Sequence, residues 1–165
     1  MSNEIARMLS EAYAYVEDGN FDDALHLYDL ALKKEPSNVT ALIDKGVTLQ
    51  NLGRAKLAIR FYDKALVISH DNLDALLNKG STLHSQQKYL QAIECYDLAL
   101  TIDKKCTMAL AYKGLSLGEM GQLQDAIKHF KKALSIDQHY DLASISKEIA
   151  QDLLKSIKEK QSKTL

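Results

Sequence analysis

The sequence predicts an all-α solenoid in which four 34-residue helical hairpins stand in tandem and one further helix caps the array. Three observations predict it. Small residues return every 34 positions, as Ala24, Ala58, Ala92 and Ala126 and again as Ala31, Ala65, Ala99 and Ala133, the latter each followed by Leu32, Leu66, Leu100 or Leu134. An aromatic row keeps the same register at Tyr28, Tyr62, Tyr96 and Phe130. Two glycine rows do so as well: Gly46, Gly80 and Gly114 with Ala12 in the first copy, and Gly19, Gly53 and Gly121 with Gln87 as the exception. So many rows in one register mean a repeat architecture.

The copies divide the chain into residues 5–38, 39–72, 73–106 and 107–140, a capping helix over 141–160 and a tail, expected to be flexible, over 161–165. Each element follows from its residues. In the third copy, Leu76, Lys79, Gly80 and Leu83 recur at i, i+3, i+4 and i+7, which is one face of a first helix. Gln87 then marks the break where other copies carry glycine, the residue suited to a left-handed helix end. Tyr89, Ala92, Ile93, Tyr96, Ala99 and Leu100 make the apolar face of a second helix. The glycine and alanine rows are small because two antiparallel helices approach closely there. The aromatic row is expected to fill the wider space where one copy meets the next. Between copies, Pro36-Ser37-Asn38 reads as a turn and a helix start, and Asp71-Asn72 and Asp103 to Cys106 take the same place.

One copy alone would order 34 residues at about 1.5 kcal/mol each, more than its single interface offsets. Stacking lets each middle copy bury two faces. The last end then needs a polar outer surface. Residues 141–160 are expected to supply it, with Leu142, Ile145, Ile149, Leu153 and Ile157 on one face. Ser144, Lys147, Glu148, Gln151, Lys155 and Lys158 would face solvent, and the far end near Leu154 and Ile157 would project. Glu148 stands where a fifth copy would need glycine.

These residues resemble the tetratricopeptide repeat family, whose signature places an aromatic or Leu, Leu-Gly, Tyr, Ala, Phe or Tyr, Ala and Pro along the repeat. In the third copy the matches are Leu76, Gly80, Leu83, Ala92, Tyr96 and Ala99, and the resemblance covers residues 5–140. Tryptophan is absent from the first place, which holds Met8, Leu42, Leu76 and Leu110. Glu11, Lys45, Lys79 and Lys113 replace the leucine before glycine, and the final proline survives only as Pro36. The resemblance implies a right-handed superhelical solenoid whose stacked first helices line a concave groove holding a peptide or partner helix.

Helical geometry names the groove residues. If places 4, 7, 8 and 11 of a copy face the second helix, places 2, 5, 9 and 12 lie about 100° round. They read Ala6, Leu9, Tyr13 and Val16; Thr40, Ile43, Val47 and Gln50; Asp74, Leu77, Ser81 and His84; and Met108, Ala111, Leu115 and Gly118. Leu142, Ile145 and Ile149 continue the stripe. The family's best-known subtype grips a chaperone-tail carboxylate with lysines and asparagines. Those places here hold Leu9, Tyr13, Asp44, Asp74 and Asn78, of which only Asn78 fits, so a chaperone-tail clamp is rejected. A mostly apolar groove suits an amphipathic helix or an extended apolar peptide.

Other chemistry finds no support. His26, His70, His84, His129 and His139 fall at unrelated repeat places, and no His-x-x-x-His pair is present. No catalytic residue, metal ligand or cofactor is expected, and the glycines are explained by helix packing without a nucleotide. With 21 basic and 22 acidic side chains the balance favours neither nucleic acid nor an anionic membrane. No apolar run reaches the roughly 18 residues of a span, and the first residues do not read as a secretory leader. Cys95 and Cys106 read as two reduced thiols of a cytoplasmic protein. Lys45, Lys79 and Lys113 form a row whose candidate mates are Asp29, Asp63 and Asp97; it reads as structural, with an acidic partner as the alternative. The resulting expectation is a non-enzymatic scaffold or adaptor for a protein or peptide, with self-assembly through the groove or last helix as the alternative.

Overall fold

The computed structural model describes residues 3–162, with side chains to Glu159. Among the described residues there are nine α-helices and no strand. In order they are α1 (Asn3–Glu17), α2 (Phe21–Lys34), α3 (Val39–Asn51), α4 (Ala55–Ile68), α5 (Leu73–Ser85), α6 (Tyr89–Ile102), α7 (Thr107–Glu119), α8 (Leu123–Ile136) and α9 (Asp141–Ser162). Gln161 and Ser162, expected in the tail, are still helical, and residues 163–165 lie outside the described residues. The chain forms two compact units that meet in sequence between Thr82 and Leu83, inside α5.

Helix ends follow the expected chemistry. Asn38 Oδ1 accepts the Ala41 N–H at 2.9 Å and Asn72 Oδ1 accepts the Ala75 N–H at 2.8 Å, so the two asparagines, one repeat apart, cap α3 and α5. At the turn inside each hairpin a residue enters the left-handed region: Gly19, Gly53 and Gly121 at φ 77°, 71° and 75°, and Gln87 at 59°. The Arg54 N–H returns to the Leu49 carbonyl at 2.8 Å, and Gln122 does the same to Leu117 at 2.9 Å, which satisfies carbonyls that the helix end would orphan. Lys88 makes the equivalent bond to Leu83 at 3.0 Å, so Gln87 adopts the glycine conformation despite its side chain. A left-handed non-glycine residue costs about 1 kcal/mol or more. Gln87→Gly is therefore expected to stabilise the protein by about 0.5–1 kcal/mol after the added entropy of an unfolded glycine. Urea titration of both proteins checks this.

In the N-terminal unit, α1 packs on α2, α2 on α3 and α3 on α4. One cluster joins Ile5, Leu9, Ala12, Ala24, Tyr28 and Ala31, and a second joins Leu25, Leu42, Leu49, Ala58, Tyr62 and Ala75. A Cβ built on Gly46 would lie 2.5 Å from the Tyr62 ring, so the glycine is the floor on which the aromatic sits. The aromatic row thus sits on the glycine of its own hairpin and, as expected, also meets the next copy: Tyr28 clusters with Ala41, Tyr62 with Ala75, and the Tyr96 ring lies 5.9 Å from that of Tyr112. The Tyr62 hydroxyl donates at 3.0 Å to Gln50 Oε1 of the same hairpin, the oxygen that Thr82 of the next copy also meets.

In the C-terminal unit, α6 packs on α7, α7 on α8 and α8 on α9. Its core holds Leu110, Leu117, Leu123, Ala126, Ile127, Phe130 and Ala133 together with Ala143 and Ala150 of the last helix. The glycine-aromatic seat recurs here, with an added Gly114 Cβ 2.6 Å from the Phe130 ring.

The last helix corrects a further expectation. It packs through Ala143 and Ala150, both buried, with Leu154 partly buried against the same core. Leu154 therefore docks where projection was expected. Ser144 and Lys147, assigned to solvent, are half-buried, whereas Leu142, Ile145, Ile149, Leu153 and Ile157 are all exposed. Two alanines let the axis of α9 come close to α8, and close approach decided the packed face over hydrophobicity.

Candidate functional surface

The lysine row is held by ion pairs between successive copies. Lys45 pairs with Asp29, Lys79 with Asp63 at 2.7 Å, and Lys113 with Asp97. Each lysine has a mostly buried side chain and each aspartate stands half-exposed, so the stem packs while the ammonium meets a carboxylate at the rim. Each such pair joins one copy to its predecessor.

A row that the sequence reading missed lies deeper. Thr48, Thr82 and Ser116 are 34 residues apart and fully buried. Thr82 Oγ1 lies 2.6 Å from Gln50 Oε1, the oxygen that also accepts from Tyr62, and Ser116 Oγ lies 2.9 Å from His84 Nδ1. These hydroxyls give the buried polar atoms of neighbouring side chains a partner. Their 34-residue spacing was the available signal.

The groove residues separate into three groups. Leu9, Ile43, Leu77 and Ala111 are buried, so they pack and are not open to a ligand. Gln50 and His84 are half-buried and hold structural hydrogen bonds; the His84 ring also meets Tyr89 edge-on at 5.2 Å. The remainder reach solvent. In the N-terminal unit Tyr13 is 61% exposed, Asp74 is exposed, and Val47, Asn78 and Ser81 are half-buried. In the C-terminal unit Met108 is exposed, Leu115 is half-buried, and Ile145 and Ile149 are 58% and 63% exposed.

The N-terminal surface has an acidic centre. Burial, reinforced by the Asp74 carboxylate, pushes the Asp44 carboxyl above its usual range. The nearby Tyr28 phenol is pushed up to about 12, mainly by burial and also by Asp44, and Tyr62 is raised further by burial. A carboxyl with a raised folded-state pKa binds protons more readily in the native chain than in the unfolded one. Its contribution to stability is therefore present at low pH and lost as pH rises through the folded pKa. Asp44→Asn is expected to raise the melting temperature near pH 7, with the gain shrinking towards about pH 4, the ordinary carboxylate range. Melts across that interval check the sign.

The C-terminal surface contains a cleft of about 350 Å³ lined by Leu115, Gly118, Glu119, Leu123, Phe130, Ser146, Ile149, Ala150 and Leu153. It brings together Leu115 and Ile149, which were predicted to share the groove. Its walls come from α7, α8 and α9, and it is open beside the exposed stripe of α9. Cys95 is buried and Cys106 half-buried, both as free thiols. No group of three or more potential metal ligands occurs among the described residues, and no helix among them is long and apolar enough to cross a membrane.

Comparison with known proteins defines the class. Three family models, each described as tetratricopeptide repeat, match residues 9–72, 73–106 and 108–140. The chain belongs to the tetratricopeptide repeat family, whose members serve as protein-interaction modules. No curated protein matches the chain. Among solved structures, a crystal structure of MamA protein is similar at 25% identity and TM-score 0.80, covering 92% of this chain and 83% of that one. YrrB, described as a TPR protein with an unusual peptide-binding site, has 22% identity and TM-score 0.72 over 90% of this chain and 76% of its own. The first TPR of Spaghetti (RPAP3), bound to the HSP90 peptide SRMEEVD, has 21% identity and TM-score 0.68 over 70% of this chain and 92% of its own. The last two likenesses concern the fold.

Proposed function

We propose that this chain is a non-enzymatic interaction scaffold that holds a partner helix or apolar peptide on the exposed faces of its first helices and of α9. One observation carries the reading: Ile145, Ile149 and Leu153 stand open beside a cleft of about 350 Å³ that Leu115 and Phe130 help to line. A cleft of that size takes one or two large apolar side chains, and the family supplies the precedent for such use. On the N-terminal unit, Tyr13, Val47, Asp74, Asn78 and Ser81 offer a more polar surface for the same purpose. The bound HSP90 peptide of the RPAP3 relative does not transfer, because the clamp positions here carry Asp44 and Asp74, which would repel a carboxylate tail. Two free thiols fit work in the cytoplasm.

The test compares affinity capture by the wild type and by Ile145→Glu/Ile149→Glu. Both sites are exposed, so the thermal melt is expected to persist while the captured partner is lost; undiminished capture would sink the reading. Self-assembly is the second reading, favoured by the apolar stripe of α9. Light scattering at increasing concentration separates the two, since self-assembly requires a growing mass.

A further inference from the structure

The charges beside the α9 stripe define the occupant more closely. At about 100° per residue, Leu142, Ile145, Ile149, Leu153 and Ile157 follow one band along the helix. One edge of that band adjoins the packed face through Ser146 and Ala150. The other edge carries Asp141, Glu148 and Asp152, spaced seven and four residues apart, and Glu159 seven further on. Asp141, Glu148 and Asp152 are exposed, and none forms an ion pair with a described residue. Lys155 flanks the row on its far side, away from the stripe, and Lys158 lies nearly opposite the stripe. On the near side Glu119 is exposed and lines the cleft, so the apolar band runs between carboxylates.

We infer that this face docks an amphipathic helix whose apolar ridge is bordered by lysines or arginines. The inference rests on the scaffold reading above and adds the chemistry of the partner. Charge complementarity supports it: an incoming basic row meets Asp141, Glu148 and Asp152 while an apolar side chain enters the cleft past Ile149. The same row argues against a second copy. Two α9 helices paired antiparallel across a two-fold axis bring like edges together, setting one carboxylate row against the other. Like charges so placed disfavour that pairing.

The experiment uses the full chain and two designed fluorescent helices. Both carry leucines at the 3-4-4-4 spacing of the stripe; one has a lysine row beside them and the other a glutamate row in the same places. Fluorescence anisotropy is expected to show the lysine helix binding at least about tenfold more tightly, the margin that two or three charge pairs supply. Glu148→Lys/Asp152→Lys is expected to reverse the order, and Ile149→Glu to weaken both, with melts confirming that each variant folds. Equal binding of the two helices, abolished by Ile149→Glu, would overturn the charge inference and leave the scaffold reading standing. Binding of neither helix would overturn the inference, and the scaffold reading would then rest on the capture experiment. A concentration-dependent dimer lost in Ile149→Glu would put a second copy on the face and overturn it as well.

Discussion

Phe130→Ala should cost about 3–5 kcal/mol, the largest loss expected from any single truncation in the C-terminal unit. The ring is buried, sits on Gly114, belongs to the core that α9 joins through Ala143 and Ala150, and lines the cleft. Its removal leaves a cavity that helices held by short turns close only in part. Because repeat stability is a sum of neighbouring interfaces, the loss should concentrate in α7, α8 and α9. Hydrogen exchange is the measurement: amides of these helices should lose protection, while those of α1 to α4 keep theirs. A uniform loss over the chain would contradict the local account.

Gly114→Val should destabilise by about 3 kcal/mol, from the opposite cause. A Cβ alone would stand 2.6 Å from Phe130 Cε1 and 2.9 Å from Cδ1, and valine adds two further methyls. The buried ring has little room to retreat. Gly118 in the same helix is the control, since an added Cβ would meet only Ala126 Cβ at 3.9 Å. Gly118→Ala should therefore stabilise by up to about 1 kcal/mol through helix propensity. Combining Gly114→Val with Phe130→Ala should recover part of the loss, because valine then enters the space the ring vacated. Denaturant titrations of the four proteins measure that coupling, expected at about 0.5–3 kcal/mol.

These pairs show what the sequence made legible. Rows at 34-residue spacing located the hairpins, and the outlier Gln87 does take up the left-handed conformation of the glycines that it replaces. The lysine and aspartate rows found their mates because both keep the same period. Direction was harder. A place in the repeat says which way a side chain leaves its own helix, but not how near the adjacent helix stands. Leu77 and Ile43 were expected in the groove and are buried. The last helix misled for a related reason. A pattern of large apolar residues names the face with most to gain from burial, whereas Ala143 and Ala150 offered the closer fit. Leu142, Ile145 and Ile149, expected on one apolar face of the cap, are exposed instead of packed.

The lysine ladder gives the array a direction, and its pattern breaks after the fourth copy. Every copy before the last holds an aspartate for the lysine sixteen residues ahead: Asp29 for Lys45, Asp63 for Lys79, Asp97 for Lys113. At the next step the aspartate place is Lys131 and the lysine place is Lys147. The rung that would receive another copy is thus cation against cation, and α9 must dock on its alanines without it. Each of the first three copies offers the carboxylate that its successor's lysine meets, whereas the fourth offers Lys131 in that place. The segment after the fourth copy thus departs from the repeat by a reversed charge as well as by Glu148 at the glycine place, and giving it the ladder's missing rung would begin by placing a carboxylate at Lys131.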